Sequence, residues 1–310
     1  MPKGDITLLG RVRTSLRVRA AIDAGESQAA AILGRLGRLE GGLPPANPAG
    51  IAFTSCDDAY FRPYALHFAR SALRLSPAQG CHLHLVDPSA GTLRLAEGLR
   101  TRDGTAGRFS YSFERTATAA DPVRAGQVRY IICTRFARVW QLLLATGSPI
   151  IALDADSLVR RPLTALVEHC GGADVGLFLR PKQREPWRRV LGAALVAMPT
   201  GAGRRFMRDC AVALADAAHH GPQLATDQMV LHQVWQWHLR HSPGFRAARL
   251  GREHSDWTYG ESSLVWHAKG GRKSLTTAFE RLAAGEALEA VLGLAPAEAP
   301  PEPRRLVAAG

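Results

Sequence analysis

Apolar residues along the chain follow two rhythms. Short continuous runs occur at IAFTS (51–55), HLHLV (82–86), FSYSF (109–113), PIIALD (149–154), DVGLFL (174–179) and AALVAM (193–198). Their length, and the turn-forming residues around them, predict strands. Between them lie stretches with apolar positions three or four apart: YALHFARSALRL, VRYIICTRFARVWQLLLA, GRRFMRDCAVALADAAHH and TDQMVLHQVWQWHL. That spacing predicts amphipathic helices, and the alternation of the two patterns predicts an α/β sheet. Residues 1–48 stand apart as an Ala/Arg/Leu-rich helical extension that runs into the breaker-rich GGLPPANPAG. A main domain spans 49–280, and a short helix with a Pro/Ala-rich tail, ending APAEAPPEPRRLVAAG, spans 281–310.

Composition narrows the class. At 310 residues, with 46% hydrophobic and 21% charged residues, the chain can bury a large core as a soluble protein. No apolar stretch approaches the ~20 residues of a membrane helix, and the arginine-broken N-terminus lacks a signal peptide's continuous apolar segment. The five cysteines, Cys56, Cys81, Cys133, Cys170 and Cys210, form no C-x-x-C, which suits reduced thiols in a cytoplasmic protein. The net charge of +12 is dispersed, without a Lys/Arg block or a nucleic-acid-binding signature, so it favours small anionic ligands over nucleic acid. In ITLLGRVRTSLRVRAAI basic and apolar residues interleave. That leaves two readings open: docking at the inner face of an anionic membrane, or packing on the main domain. The histidines His219, His220, His232, His238 and His241 form no H-E-x-x-H, which argues against a zinc site.

Candidate chemistry concentrates in IIALDADSLVRRPL, where an apolar run ends in Asp154 and Asp156. Ligands of open α/β sheets bind outside the carboxyl ends of the strands. Two close carboxylates there suit a hard divalent cation, Mg²⁺ or Mn²⁺, which in turn can hold a diphosphate. A D-x-D after a strand also occurs in metal-dependent phosphohydrolases of the haloacid dehalogenase type, with the first Asp as nucleophile. That pattern asks for Thr or Val where this chain has Leu158, and for a later G-D-G that is missing.

Five segments in order carry a resemblance. IAFTSCDDAYFRPYALHFARSAL, CTRFARVWQLLLATGSPIIALDADSLVRRPL, GAALVAMPTGAGRRFMRDC, ATDQMVLHQ and HAKGGRK together resemble the GT-A-fold nucleotide-sugar glycosyltransferases of the family-eight type, which includes glycogenin and bacterial galactosyltransferases. The resemblance covers roughly residues 50–275. It implies a single GT-A-like domain with a mixed, mainly parallel sheet flanked by helices. It also implies Mn²⁺- or Mg²⁺-dependent transfer of a hexose from a nucleotide sugar, a UDP-sugar, to an acceptor, with retention at the anomeric carbon.

Carried over residue by residue, Asp154, Asp156 and His267 become metal ligands. Lys273 neutralises the departing diphosphate, and Gly270 lets the backbone approach the phosphates. Thr54 and Asp57 lie near the base, with Tyr60 placed to stack on it. Arg135 reaches the diphosphate or donor sugar, with Arg138 one turn later as the fallback. Asp227 and Gln228 hold the sugar's hydroxyls near the reacting face. The chain departs from the family pattern at Ser274 and Leu275, where Pro-Trp is usual, and at Asp57, often Asn. A non-catalytic module that binds sugar nucleotides or glycans is the remaining alternative.

Overall fold

The computed structural model describes residues 8–102, 105, 107–116, 124–185, 188–220, 226–268, 277–283 and 285–293. In chain order the elements are α1 (Leu8–Ile22), α2 (Glu26–Leu33), β1 (Glu40–Gly41), β2 (Ile51–Cys56) and α3 (Asp58–Tyr60). A π-helical turn, Phe61–Ala65, leads into α4 (Leu66–Leu75), then β3 (Gly80–Val86), α5 (Ala90–Arg100), β4 (Phe109–Glu114) and α6 (Arg124–Thr146). The middle continues with β5 (Ile150–Leu153), β6 (Ser157–Val159), α7 (Thr164–His169), β7 (Val175–Leu179) and β8 (Val190–Ala197). Next come α8 (Gly201–His220), α9 (Thr226–His241), β9 (Ala247–Leu250), β10 (Ser255–Asp256) and β11 (Val265–His267), and last α10 (Thr277–Ala283) and α11 (Leu288–Leu292).

All six strands expected from the apolar runs form. They build an eight-stranded sheet in the order β1-β4-β3-β2-β5-β8-β7-β9. β4, β3, β2 and β5 are parallel neighbours, and β8 runs antiparallel between β5 and β7. Side chains of successive strand residues point to opposite faces, and the sequence uses both. In β2, Ile51 and Phe53 join the core under α6 and α8, while Ala52 and Cys56 join the core under α4. β5 divides Ile150 and Ala152 from Ile151 and Leu153 in the same way. Burial on both faces explains why these strands read as unbroken apolar runs. The π turn coincides with Pro63, which has no N–H for the helical ladder.

The N-terminal helices are part of the layer that covers one face. Val18, Ala21, Ala29 and Ile32 belong to the same core cluster as α6, α8 and α9. Arg17 pairs with Asp216 at 2.9 Å, and Gln233 Nε2 donates to Ser15 Oγ at 2.9 Å. Of the two readings of this segment, the structure displays the packed one. Among the described residues, no helix is long and apolar enough to cross a membrane. All five cysteines are buried as free thiols.

A second, small sheet, β10-β11-β6, was not anticipated. Strands of two or three residues are too short to show a period. By internal contacts the chain divides into two compact units, Met1–Lys269 and Gly270–Gly310. The second contains α10 and α11, joined within it by an Arg281–Glu286 ion pair. The expected Pro/Ala-rich tail lies outside the described residues.

Candidate active site

The carboxyl ends of β2 and β5 share one edge of the large sheet, because the two strands are parallel neighbours. Asp57 directly follows β2, and Asp154 directly follows β5. Thr54 Oγ1 donates to the Leu153 carbonyl at 2.8 Å and ties the two strand ends together. Two antiparallel steps, β5 to β8 and β8 to β7, bring the carboxyl end of β7 and the start of β8 to this same edge.

Arg135 on α6 is the hub. One guanidinium nitrogen bonds the Asp154 carboxylate. The other donates to the Gly192 carbonyl at 2.8 Å and lies 3.3 Å from Asp227 Oδ2. Burial works against the charge of Arg135, but Asp154 and then Asp227 outweigh it and push its pKa up. Burial raises the Asp227 carboxyl pKa; Arg135 opposes that shift and the Asp154 charge adds to it. Arg138, the fallback, points elsewhere: it bonds Glu114 and donates to the Gly37 carbonyl at 2.7 Å. Of the two arginines, Arg135 is the one that reaches the Asp154 carboxylate.

Gln228, one residue past Asp227, accepts a hydrogen bond from Arg180 at 3.2 Å. Asp57 caps α3, its carboxylate accepting from the Tyr60 N–H at 3.0 Å. This cap holds the loop after β2, and Tyr60 stacks obliquely on Tyr64, ring centroids 5.1 Å apart. Asp57 and Tyr60 thus have structural partners at the positions where base contacts were expected.

The small sheet explains the D-x-D turn. Asp156 precedes β6, and β11 pairs antiparallel with β6 so that His267 stands opposite Ser157. The Ala268 N–H donates to the Asp156 carbonyl at 2.9 Å. His267 Nδ1 lies 3.0 Å from Ser255 Oγ, which fixes the imidazole plane from β10. This pairing brings the backbone of His267, more than a hundred residues away in sequence, beside the D-x-D turn. The Asp154 side chain is 32% exposed, so this corner opens to solvent. Among the described residues, no group of three His, Cys, Asp or Glu side chains is placed to hold a metal ion. Gly270 and Lys273 lie outside the described residues. Of the other histidines, His238 is structural, its Nε2 2.9 Å from Asp209.

Three further residues at this edge escaped the sequence reading. A Cβ on Gly192 would stand 2.5 Å from Asp227 Oδ2, so this glycine makes room for the charge cluster. Arg180 follows β7 as Asp154 follows β5. Asp87, just past β3, has a positive φ of 49° and accepts from the Thr116 N–H at 2.7 Å. Asp is among the few non-glycine residues that adopt this left-handed region readily. Asp87, in VDPS, had a visible turn signal; Gly192 and Arg180 had none.

No protein-family model matches the chain, and no curated protein matches its sequence. Solved structures do. The galactosyltransferase LgtC in complex with donor and acceptor sugar analogs matches with a TM-score of 0.53 and 15% identity, over 80% of this chain and 97% of that one. A Gln-to-Glu active-site mutant of LgtC matches with a TM-score of 0.53 and 16% identity, over 80% and 98%. With its mixed, mainly parallel sheet flanked by helices, the chain has the GT-A-like fold of these glycosyltransferases.

Proposed function

We propose that the chain is a metal-dependent glycosyltransferase that moves a hexose from a UDP-sugar to an acceptor hydroxyl, with retention at the anomeric carbon. The observation that carries this reading is the charge chain Asp154–Arg135–Asp227 at the carboxyl edge of the sheet. Ligands bind at that edge in open α/β folds. LgtC, which shares the fold, was solved with donor and acceptor sugar analogs, and a glutamine of that enzyme is an active-site residue. Gln228 beside Asp227 is the candidate for the same part here.

The residues at the corner fit a divalent cation by their chemistry. Two carboxylates and an imidazole suit Mn²⁺ or Mg²⁺, and such ions commonly take one or two carboxylates and complete their shell with substrate phosphates. A closed protein cage is therefore not required. Asp154, Asp156 and His267 would hold the ion, with Ser255 orienting the imidazole from behind. When bound, it would neutralise charge on the departing diphosphate.

The chain's own groups do the rest. Arg135 keeps the Asp154 carboxylate aimed at the corner and places a fixed cation where negative charge develops. Asp227 and Gln228, at the start of α9, present a carboxylate and an amide to the sugar hydroxyls and orient the reacting carbon. Thr54 and the capped loop at Asp57 shape the place for the base, with Tyr60 beside it. The family resemblance also assigns Gly270 and Lys273 to the diphosphate. The packed N-terminal helices support an internal role for that segment over a peripheral membrane one, and a cytoplasmic location suits the free thiols.

The rival phosphohydrolase would need Asp154 as nucleophile. The sequence around the D-x-D, with Leu158 where that class asks for Thr or Val and no later G-D-G, speaks against it.

Thermal melts with UDP, UDP-glucose and UDP-galactose, with and without Mn²⁺, test the proposal. A nucleotide at a hundred times its Kd should stabilise the fold by about 2.7 kcal/mol. The gain should require Mn²⁺ and vanish in Asp154→Ala and Asp156→Ala. Absence of any Mn²⁺-dependent shift sinks the reading. Phosphate release from p-nitrophenyl phosphate that depends on Asp154 would favour the hydrolase.

A further inference from the structure

The arginines near the site edge have carboxylate partners, with one exception among the described residues. Arg135 faces Asp154 and Asp227, and Arg138 faces Glu114. Arg180, half-buried at the carboxyl end of β7, has no ion pair among the described residues. Its Nη2 donates to the neutral amide oxygen of Gln228 at 3.2 Å, and its Nε is buried without an acceptor. Its backbone is pinned: the N–H donates to the Arg189 carbonyl at 2.7 Å, and the carbonyl accepts from Gln183 N–H at 3.1 Å. The backbone fixes where the side chain leaves the sheet, and the bond to Gln228 sets the guanidinium beside the site edge with donors to spare.

The hairpin that presents it deepens the imbalance. Between β7 and β8 the chain reads RPKQREPWRR, with Arg180, Lys182, Arg184, Arg188 and Arg189 against Glu185 alone. Arg188 meets Glu185 only at 3.9 Å. Burial, then the nearby Arg188 charge, lowers the Arg180 pKa. A half-buried cation near a like charge is costly unless an anion arrives to meet it.

We infer that Arg180, supported by Arg188, is a specificity-determining residue that receives a carboxylate or phosphate carried by the sugar end of a substrate, beside Gln228. The inference rests on the glycosyltransferase reading above. It adds to that reading a class of substrate: acidic or phosphorylated sugars in preference to neutral ones. A guanidinium is suited to either anion because its planar donors match both oxygens of the group. The anion can sit on the donor sugar or on the acceptor, and the two sources are separable.

Calorimetric titration in Mn²⁺ provides the test. In the donor arm, UDP-glucuronate is compared with UDP-glucose. In the acceptor arm, glucuronate and glucose 6-phosphate are compared with glucose on the protein saturated with UDP. The parent should prefer the anionic probe by about tenfold or more in at least one arm, the effect of one charge-assisted contact. That arm identifies the source. Arg180→Gln should erase the preference while leaving the neutral probe's affinity within a few fold, and Arg180→Lys should keep part of it.

Three outcomes overturn the inference: no preference in either arm, a preference that survives in Arg180→Gln, or equal weakening of charged and neutral probes. The last would mean that Arg180 only positions Gln228. Should Arg180→Gln not fold, Arg188→Gln, at an exposed site, decides instead: the ratio should fall severalfold, and an unchanged ratio overturns the inference. A parent that binds no UDP at all defeats the functional reading itself, a distinct result.

Discussion

At position 192 there is a glycine because two charges occupy the space a side chain would need. A Cβ would lie 2.5 Å from Asp227 Oδ2 and 2.9 Å from Arg135 Nη2. The same packing makes Arg135 a stability residue as well as a site residue. Removing its cation leaves the buried Asp227 without a counter-charge, which costs about 3–5 kcal/mol for a buried pair. Arg135→Met should therefore lower the melting temperature sharply, and Arg135→Met with Asp227→Asn should recover part of the loss. Urea titrations of the parent, single and double variants read this directly; a single variant as stable as the parent refutes it.

Residue by residue, the sequence showed Asp154 and Asp156 because an apolar run ended on them, and Asp227 because it opened a helix. It did not decide between Arg135 and Arg138. Three residues apart, they share a helix face but stand about 4.5 Å apart along the axis. That offset sends one to β5 and the other to β4. Gly192 and Arg180 meet their partners across 57 and 48 residues of chain, a juxtaposition no local pattern encodes.

Among the elements, β3 and β4 were legible as strands, but the burial of both their faces was not. HLHLV and FSYSF carry polar residues at alternate positions, and alternation by itself is the pattern of a half-buried strand. The structure buries the polar face under α6. His82 Nδ1 and Nε2 lie 2.8 Å and 2.9 Å from Ser110 and Ser112. His84 lies 3.0 Å from Ser112 and 3.1 Å from Glu114. Tyr130 and Arg138 then bond the other Glu114 oxygen. Both ring nitrogens of each histidine and both Glu114 oxygens find partners inside, which is how a buried polar face remains compatible with folding.

The ladder has a pH signature. Burial, reinforced by His84, pushes His82 down to about 3. The unfolded chain takes up a proton on this histidine near pH 6.5, while the folded chain refuses it until about pH 3, so stability is lost as pH falls through that window. His82→Asn removes the group. Its melting temperature should start below the parent's at pH 7.5 and the gap should narrow toward pH 4. Parallel curves for the two proteins would refute the assignment.

For the molecule as a whole, the expected helical extension turns out to be part of the main unit's core. Val18, Ile32 and Leu36 are buried in the cluster that contains Phe136 and Phe206. Each such side chain is worth roughly 1.5–3 kcal/mol of burial, an upper figure because unfolded chains bury some surface too. A protein beginning at Ala49 should therefore lose about 5 kcal/mol of stability, read as an earlier midpoint in urea. The exposed Arg17–Asp216 pair contributes little to this loss. A truncated protein with the parent's midpoint would show the extension to be an ornament. The overall architecture was legible because long amphipathic helices and two-faced strands carry strong periods. The small sheet that joins Asp156 to His267 was not, since its strands carry none.

The burial of all five cysteines has a practical side. Burial holds the thiols of Cys56, Cys81, Cys133, Cys170 and Cys210 protonated, raising their pKa values above the ordinary range. Reagents act on exposed thiolate, so the native protein is silent to maleimides and unfolded molecules are not. A single cysteine placed at exposed Lys182 would then be the only site to take a dye, on the hairpin that carries Arg180. The fold supplies, without engineering of its interior, a dark background against which one fluorophore can watch substrates arrive.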